Sequence, residues 1–215
     1  MRCYLVRHAQ TLSNEEHRFQ GCTDSPLSLL GLRQAQCLGA YFAGQAVRVI
    51  YSSHLDRSIQ TAQAIANTTG TVVRTEPGLA ELDFGAWEGL TTEEVAARFK
   101  QEYSHWLEHP LQVRIPGGEF YDQFRIRVRR TLTDIVARHR NEGVQALVVV
   151  SHGGVIASLL ADCLRSDYGQ LLRHLVLKHA SISAVEWRAD SPSVLWTNAT
   201  AHLDSLNERH AHPVR

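Results

Sequence analysis

The chain has 215 residues, 44% of them hydrophobic and 20% charged, with 22 basic and 22 acidic side chains. That composition belongs to a globular protein long enough for a substantial core, and the zero net charge excludes a general nucleic-acid binder, which needs a basic face. No basic-then-apolar leader opens the chain and no apolar run reaches membrane-spanning length, so a cytoplasmic protein with no membrane partner is expected. The four cysteines, Cys3, Cys22, Cys37 and Cys163, have no CxxC spacing, and Cys3 and Cys163 read as small buried hydrophobes rather than parts of a disulfide framework. Twelve histidines invite a metal, but HExxH is absent and His210 and His212 fall in a polar tail. No metal and no cofactor is expected.

The first element is Cys3 to Val6, an apolar β-prone run that ends abruptly in Arg7-His8. Gln10 to Gly21 is polar and non-periodic and reads as a loop, with Thr11, Asn14 and Gln20 as hydrogen-bonding side chains near the Arg-His pair. Ser28 is the predicted N-cap of a helix whose apolar stripe is Leu32, Ala35, Leu38 and Phe42 and which ends at Gly44. Val47 to Tyr51 is a second strand. The next helix starts near Leu55, which sets Arg57 in its first turn. A cation there works against the helix dipole, so Arg57 needs either an incoming anion or an acidic partner such as Asp56 or Glu81.

Thr71 to Val73 reads as a short third strand. Gly78 to Gly89 then forms an irregular loop carrying Glu81, Asp83 and Glu88 among Phe84 and Trp87. A carboxyl held against apolar walls keeps its proton more readily, as a general acid must. The residues alone do not choose among the three, and the plain alternative is that all three are solvated or cap the following helix, Thr92 to Phe99. Residues 99–118 read as an excursion over the top of the sheet, after which a long helix runs from Tyr121 to Arg140, with Arg125, Arg127, Arg129 and Arg130 on a solvated flank. Gln145 to Val150 is apolar throughout and predicts a central parallel strand buried on both faces. It ends in Ser151-His152-Gly153-Gly154 ahead of a helix from Val155 to Leu164. Ile182 to Trp187 and Val194 to Thr197 complete the strands as a hairpin turned at Asp190-Ser191-Pro192.

Strands alternating with helices predict an α/β fold, a three-layer sandwich with a largely parallel central sheet flanked by helices, in a single domain over residues 1–215. Ligands of such sheets collect at the carboxyl ends of the strands. There the chain brings Arg7, His8, Arg57 and His152. Two guanidiniums match phosphate oxygens, one imidazole can act as nucleophile and the other as donor, and a nearby carboxyl can protonate a leaving alcohol. Those parts specify phosphoryl transfer through a phosphohistidine, with the Arg and His cations balancing the developing charge.

Taken together, Leu5-Val6-Arg7-His8-Ala9-Gln10-Thr11 with Asn14 and Gln20-Gly21, Ser52-Ser53-His54-Leu55-Asp56-Arg57-Ser58, Glu81-Leu82-Asp83-Phe84-Gly85-Ala86-Trp87-Glu88-Gly89 and Val150-Ser151-His152-Gly153-Gly154 resemble the histidine phosphatase superfamily in its phosphoglycerate-mutase-like branch. Ala9 departs from the glycine most often found there. The resemblance implies His8 as the phosphorylated nucleophile, Arg7, Arg57 and His152 as the phosphoryl grip, and Glu81 as the proton donor. It implies Asn14, Gln20 and the Gly153 amide as supporting phosphate contacts. The family's mutases carry a Tyr and a downstream Lys after the acid and an Arg-Arg pair in the excursion. This chain has Phe84, no Lys from Glu81 to Thr92, and only the isolated Arg98 and Arg114. A metal-independent phosphatase acting on a small phosphorylated metabolite is therefore expected. A mutase and a non-catalytic phosphate-binding module are the alternatives, and an edge strand leaves a homodimer open.

Overall fold

A computed structural model describes residues 1–188 and 191–208. In chain order the elements are β1 (Arg2–Arg7), α1 (Leu12–Glu15), α2 (Leu29–Phe42), β2 (Val49–Ser52), α3 (Asp56–Thr69) and β3 (Val73–Thr75). Then follow α4 (Thr92–Arg98), α5 (Lys100–Glu108), α6 (Tyr121–Asn141), β4 (Ala146–Ser151), α7 (Gly153–Leu164), α8 (Tyr168–His174), β5 (Ile182–Arg188), β6 (Ser191–Ala199) and α9 (Asp204–Glu208). The six strands form one sheet in the order β3-β2-β4-β1-β5-β6. β3, β2, β4 and β1 are mutually parallel; β5 runs antiparallel to β1, and β6 to β5.

Successive side chains of a strand point to opposite faces, and both faces here are covered. Leu147 and Val149 of β4 join Cys3, Leu5 and the stripes of α6 and α7 on one side. Val148 and Val150 join Tyr4, Val6 and the stripes of α2 and α3 on the other. Residues 147–150 are fully buried, which is why β4 must be apolar at every position rather than at every second one. The expected three-layer α/β architecture is the one observed.

Several local expectations are corrected. The polar stretch after His8 holds a helical turn, α1, closed by a capping box between Thr11 and Asn14. Leu32 is 46% exposed and lies off the stripe of α2, which Gln34 shares with Ala35, Leu38 and Phe42. The third strand starts at Val73, not Thr71. The excursion contains a helix, α5. Ser191 and Pro192 belong to β6, where Pro192 pairs with Trp187; a proline is tolerated there because β6 is an edge strand. Asp190 of the expected turn, and His210 and His212, lie outside the described residues. Cys3 is buried, Cys163 packs against the core, and all four thiols are free. Among the described residues no helix is long and apolar enough to cross a membrane.

Candidate active site

Strand register brings the two distant histidines together. β1 and β4 pair residue for residue from Arg2 with Ala146 to Arg7 with Ser151, and the His8 amide donates to the Ser151 carbonyl at 2.8 Å. The next residues, His8 and His152, therefore stand side by side, with ring centroids 5.2 Å apart. His8 donates from Nδ1 to the Ala9 carbonyl at 2.8 Å, which leaves Nε2 as the bare lone pair. Ala9 is buried and its φ is not positive, so a methyl fits where glycine is usual. The His152 Nε2 lies 3.4 Å from the Ser58 hydroxyl, and its Nδ1 is buried with no partner.

Burial drives the His8 imidazole well below its ordinary range, and His152, Arg57, Arg7 and His179 push it the same way. His152 is driven down by burial and by Arg57, Arg7 and Arg127. Both imidazoles are thus held neutral, and the fixed positive charge beside them is that of Arg7 and Arg57. Burial also lowers Arg7, to about 10, with Glu81 opposing. The Arg7 guanidinium donates to the Leu177 carbonyl and keeps a buried Nε without a partner.

Arg57 is 1% exposed and held from outside its own helix. Its Nη2 donates to the Gly21 carbonyl, and its Nη1 donates to the Thr23 carbonyl at 2.9 Å and to Asp24 Oδ1 at 3.0 Å. Gly21 has φ of +53°, a conformation that suits glycine, and a Cβ there would collide with Glu88. The acidic partner of Arg57 is therefore Asp24, not Asp56 or Glu81. The other oxygen of Asp24 accepts from the Asp56 amide at 2.8 Å, capping α3, whose N-cap residue Leu55 offers no side-chain cap. Arg57 Nε remains buried and unpartnered.

Of the three carboxylates in the loop, Glu81 is the one at the pocket. Its Oε2 accepts from the Gly154 amide at 3.0 Å, in the first turn of α7, and its Oε1 from the Leu82 amide. A Cβ on Gly154 would stand 2.5 Å from Glu81 Oε1, so the close seat requires glycine. Asp83 accepts from the Gly85 amide, and Glu88 is taken up by Cys22, Thr23 and Phe84. Cys22, Asp83 and Glu88 bring donor atoms within 4.8 Å of one another, but the donors already on Glu88 make that cluster a loop clasp.

The Glu81 loop is held by Arg127, whose guanidinium donates to the carbonyls of Gly78, Ala80 and Glu81 and to the Glu119 carboxylate. Arg125 pairs with Asp162. Of the flank expected to be solvated, only Arg129 and Arg130 are exposed. A Ser151 hydroxyl bond to the Leu79 carbonyl at 2.7 Å ties the same loop to the end of β4.

Asn14 uses its side-chain oxygen on Thr11, leaving its amide hydrogens free of that cap. Gln20 is buried, donates to Thr11 Oγ1 at 2.7 Å and keeps its own oxygen unpartnered. Gly153 lies beside Arg7, whose guanidinium would be 3.5 Å from a Cβ at that position. The structure adds a group that no motif announced. The His179 ring is 5.8 Å from His8, its Nε2 is buried and unpartnered, and burial with Arg7 nearby lowers it to about 3. Its signal is positional only: it precedes Ala180, whose amide donates to the His8 carbonyl at 3.2 Å.

Residues 3–200 match the profile of the histidine phosphatase superfamily (branch 1). The chain is 33% identical over 199 residues to phosphoserine phosphatase 1 of Hydrogenobacter thermophilus, covering 93% of this chain and 92% of that one. It is 32% identical over 209 residues, 95% of each chain, to a Yersinia pestis protein named for phosphoglycerate mutase activity. Among solved structures, the mycobacterial glucosyl-3-phosphoglycerate phosphatase in complex with VO3 superposes with a TM-score of 0.83 at 30% identity, over 93% of this chain and 99% of that one. The chain belongs to the histidine phosphatase superfamily, branch 1.

Proposed function

We infer that the protein is a phosphomonoesterase that hydrolyses its substrate through a phosphorylated His8. The observation that carries this reading is the His8 tautomer: a neutral imidazole that commits Nδ1 to the Ala9 carbonyl and keeps its Nε2 lone pair, beside the charges of Arg7 and Arg57. In the first step Nε2 attacks phosphorus; the N–P bond forms and the P–O bond to the alcohol breaks, with Glu81 giving its proton to the departing oxygen. In the second, Glu81 takes a proton from water, the water oxygen bonds to phosphorus and the N–P bond breaks. Inorganic phosphate leaves and His8 returns to its starting form.

Arg7 and Arg57 hold the phosphoryl oxygens, and their orphaned Nε groups are donors of the kind an oxyanion would satisfy. His152 Nδ1, also without a partner, supplies a further donor when the incoming dianion offsets the arginines and raises its proton affinity. The Asn14 amide, Gln20 and the Gly153 N–H are supporting contacts. Residues 99–118 act as a lid: Trp106, Pro110 and Leu111 line a cavity that touches Glu81. Among the described residues no cation lines that cavity to hold the carboxylate of a phosphoglycerate, which supports hydrolysis over mutase transfer.

The test is phosphate release from p-nitrophenyl phosphate with chelator present, together with acid quench and mass mapping of the enzyme. Release that survives chelator, is lost in His8→Ala, and leaves one phosphoryl group on the peptide holding His8 is the expected result. Turnover that persists in His8→Ala would overturn it.

A further inference from the structure

Glu81 lies close enough to Arg7 and Arg57 to act on their charge, and it also opens, with Gly154, a cavity of about 120 Å³ that runs between Phe84, Trp106, Leu111 and Leu172. Tyr121 and Tyr168 form one wall, their rings stacked with centroids 4.5 Å apart. Burial pushes both phenols upward, so these hydroxyls stay neutral. Among the described residues Glu81 is the only carboxyl on the lining, and no described Lys, Arg or His side chain shares it.

We propose that this cavity receives the alcohol half of the substrate, and that the physiological substrate is a phosphate ester of an uncharged alcohol with a single ring or a short aliphatic body. The proposal rests on the phosphomonoesterase reading, since it is the bridging oxygen that must face Glu81. With phosphorus at His8 and that oxygen at Glu81, the body of the alcohol extends away from the phosphate, into the cavity. A carboxylate carried there would lose its water against apolar walls, meet no counter-charge and stand beside Glu81. An ammonium would pair with Glu81 and compete with the proton that the leaving oxygen needs. An uncharged body meets neither penalty.

The size agrees: an apolar cavity of about 150 Å³ holds one benzene ring. The walls are also preorganised. Trp106 stacks on Tyr103 at 6.1 Å and meets Trp87 and Phe19 edge-on at 6.0 Å, and Trp87 is fully buried beneath. The loop and lid aromatics thus divide by role: Trp87 and Tyr103 are lid core, while Phe84 and Trp106 reach the cavity. A rigid wall of this kind loses little freedom when a ring docks against it.

The experiment compares kcat/KM for benzyl phosphate and n-butyl phosphate with that for phosphoserine and 3-phosphoglycerate, with p-nitrophenyl phosphate as the control for phosphatase activity. Benzyl phosphate is expected to exceed both charged esters by about tenfold or more, and Leu111→Arg to narrow or reverse that ratio by about tenfold. Leu172→Lys serves the same purpose from another wall if Leu111→Arg does not fold. Charged esters equal to or better than benzyl phosphate, with p-nitrophenyl phosphate still hydrolysed, would overturn the cavity assignment and leave the phosphatase reading standing. Absence of phosphate release from every ester would overturn both.

Discussion

Asp24 joins Arg57 and helix α3 through one carboxylate: Oδ1 takes the Arg57 guanidinium at 3.0 Å and Oδ2 the Asp56 amide at 2.8 Å. An exposed loop residue thereby aims a fully buried cation and caps the helix that carries it. Asp24→Ala leaves Arg57 buried without its counter-charge and α3 without its cap. A stability loss of about 2–4 kcal/mol is expected in urea titration, summing a lost cap with a broken, partly exposed ion pair. Asp24→Asn, which keeps the acceptor for Arg57, is expected to recover part of that loss. Equal stability of Asp24→Ala and the parent would show the link to be idle.

His8, His152 and His179 are all held neutral by burial and by the arginines. In the unfolded chain each titrates near 6.5. Between that value and their lower folded values the unfolded state binds more protons, so stability is complete above about pH 6.5 and falls as pH drops, by up to about 1.4 kcal/mol per pH unit for each imidazole. Urea midpoints measured from pH 7.5 to 4.5 are expected to decline, and His179→Asn is expected to flatten the slope. A midpoint independent of pH over that range would contradict the neutral assignment.

The same shift fixes the acid limb of activity. Because His8 stays unprotonated well below the ordinary imidazole range, loss of kcat/KM on acidification is expected below about pH 6.5, where substrate phosphate protonates near pH 6. A limb centred at or above 6.5 would mean that His8 carries a proton in the free enzyme.

Arg127 holds the loop of Glu81, the proposed acid, through the carbonyls of Gly78, Ala80 and Glu81. It is a positioning residue. Arg127→Lys keeps the charge but not the fork that holds those carbonyls with Glu119. The expected result is a kcat reduced by about 10–100-fold with KM little changed, the signature of a misplaced transition-state group. A rise in KM alone would assign Arg127 to binding instead.

The strand-end histidines and arginines were legible in the chain because each follows or adjoins a buried apolar run, and burial on both faces leaves β4 no choice of pattern. The partners of those groups were not. A guanidinium on a helix flank looks the same whether it meets water, as Arg129 does, or the carbonyls of a loop some 46 residues back, as Arg127 does. Turn α1 was hidden because a capping box, not an apolar period, holds its four residues. His179 carries no motif; the antiparallel pairing of β5 against β1 brings the preceding loop to His8. Long-range register decides such neighbours, and local pattern carries no trace of it.

Glu81 is seated where a single methyl can test its role. Its Oε1 lies 2.5 Å from the position of a Cβ on Gly154, and its Oε2 takes the Gly154 amide. Gly154 is helical, so Gly154→Ala meets no backbone penalty and acts by displacing the carboxyl. A general acid matters most when the leaving oxygen is strongly basic and least when it departs readily as an anion. Gly154→Ala is therefore expected to lower kcat for an alkyl phosphate by about 10²–10⁴-fold, the range a general acid supplies, while p-nitrophenyl phosphate loses far less. Equal losses on both esters would show that the methyl disturbs the phosphoryl grip of Arg7 and His152 rather than the proton donor. Because a Cβ at Gly154 meets Glu81 first, while one at Gly153 would meet Arg7, the geometry favours the unequal outcome.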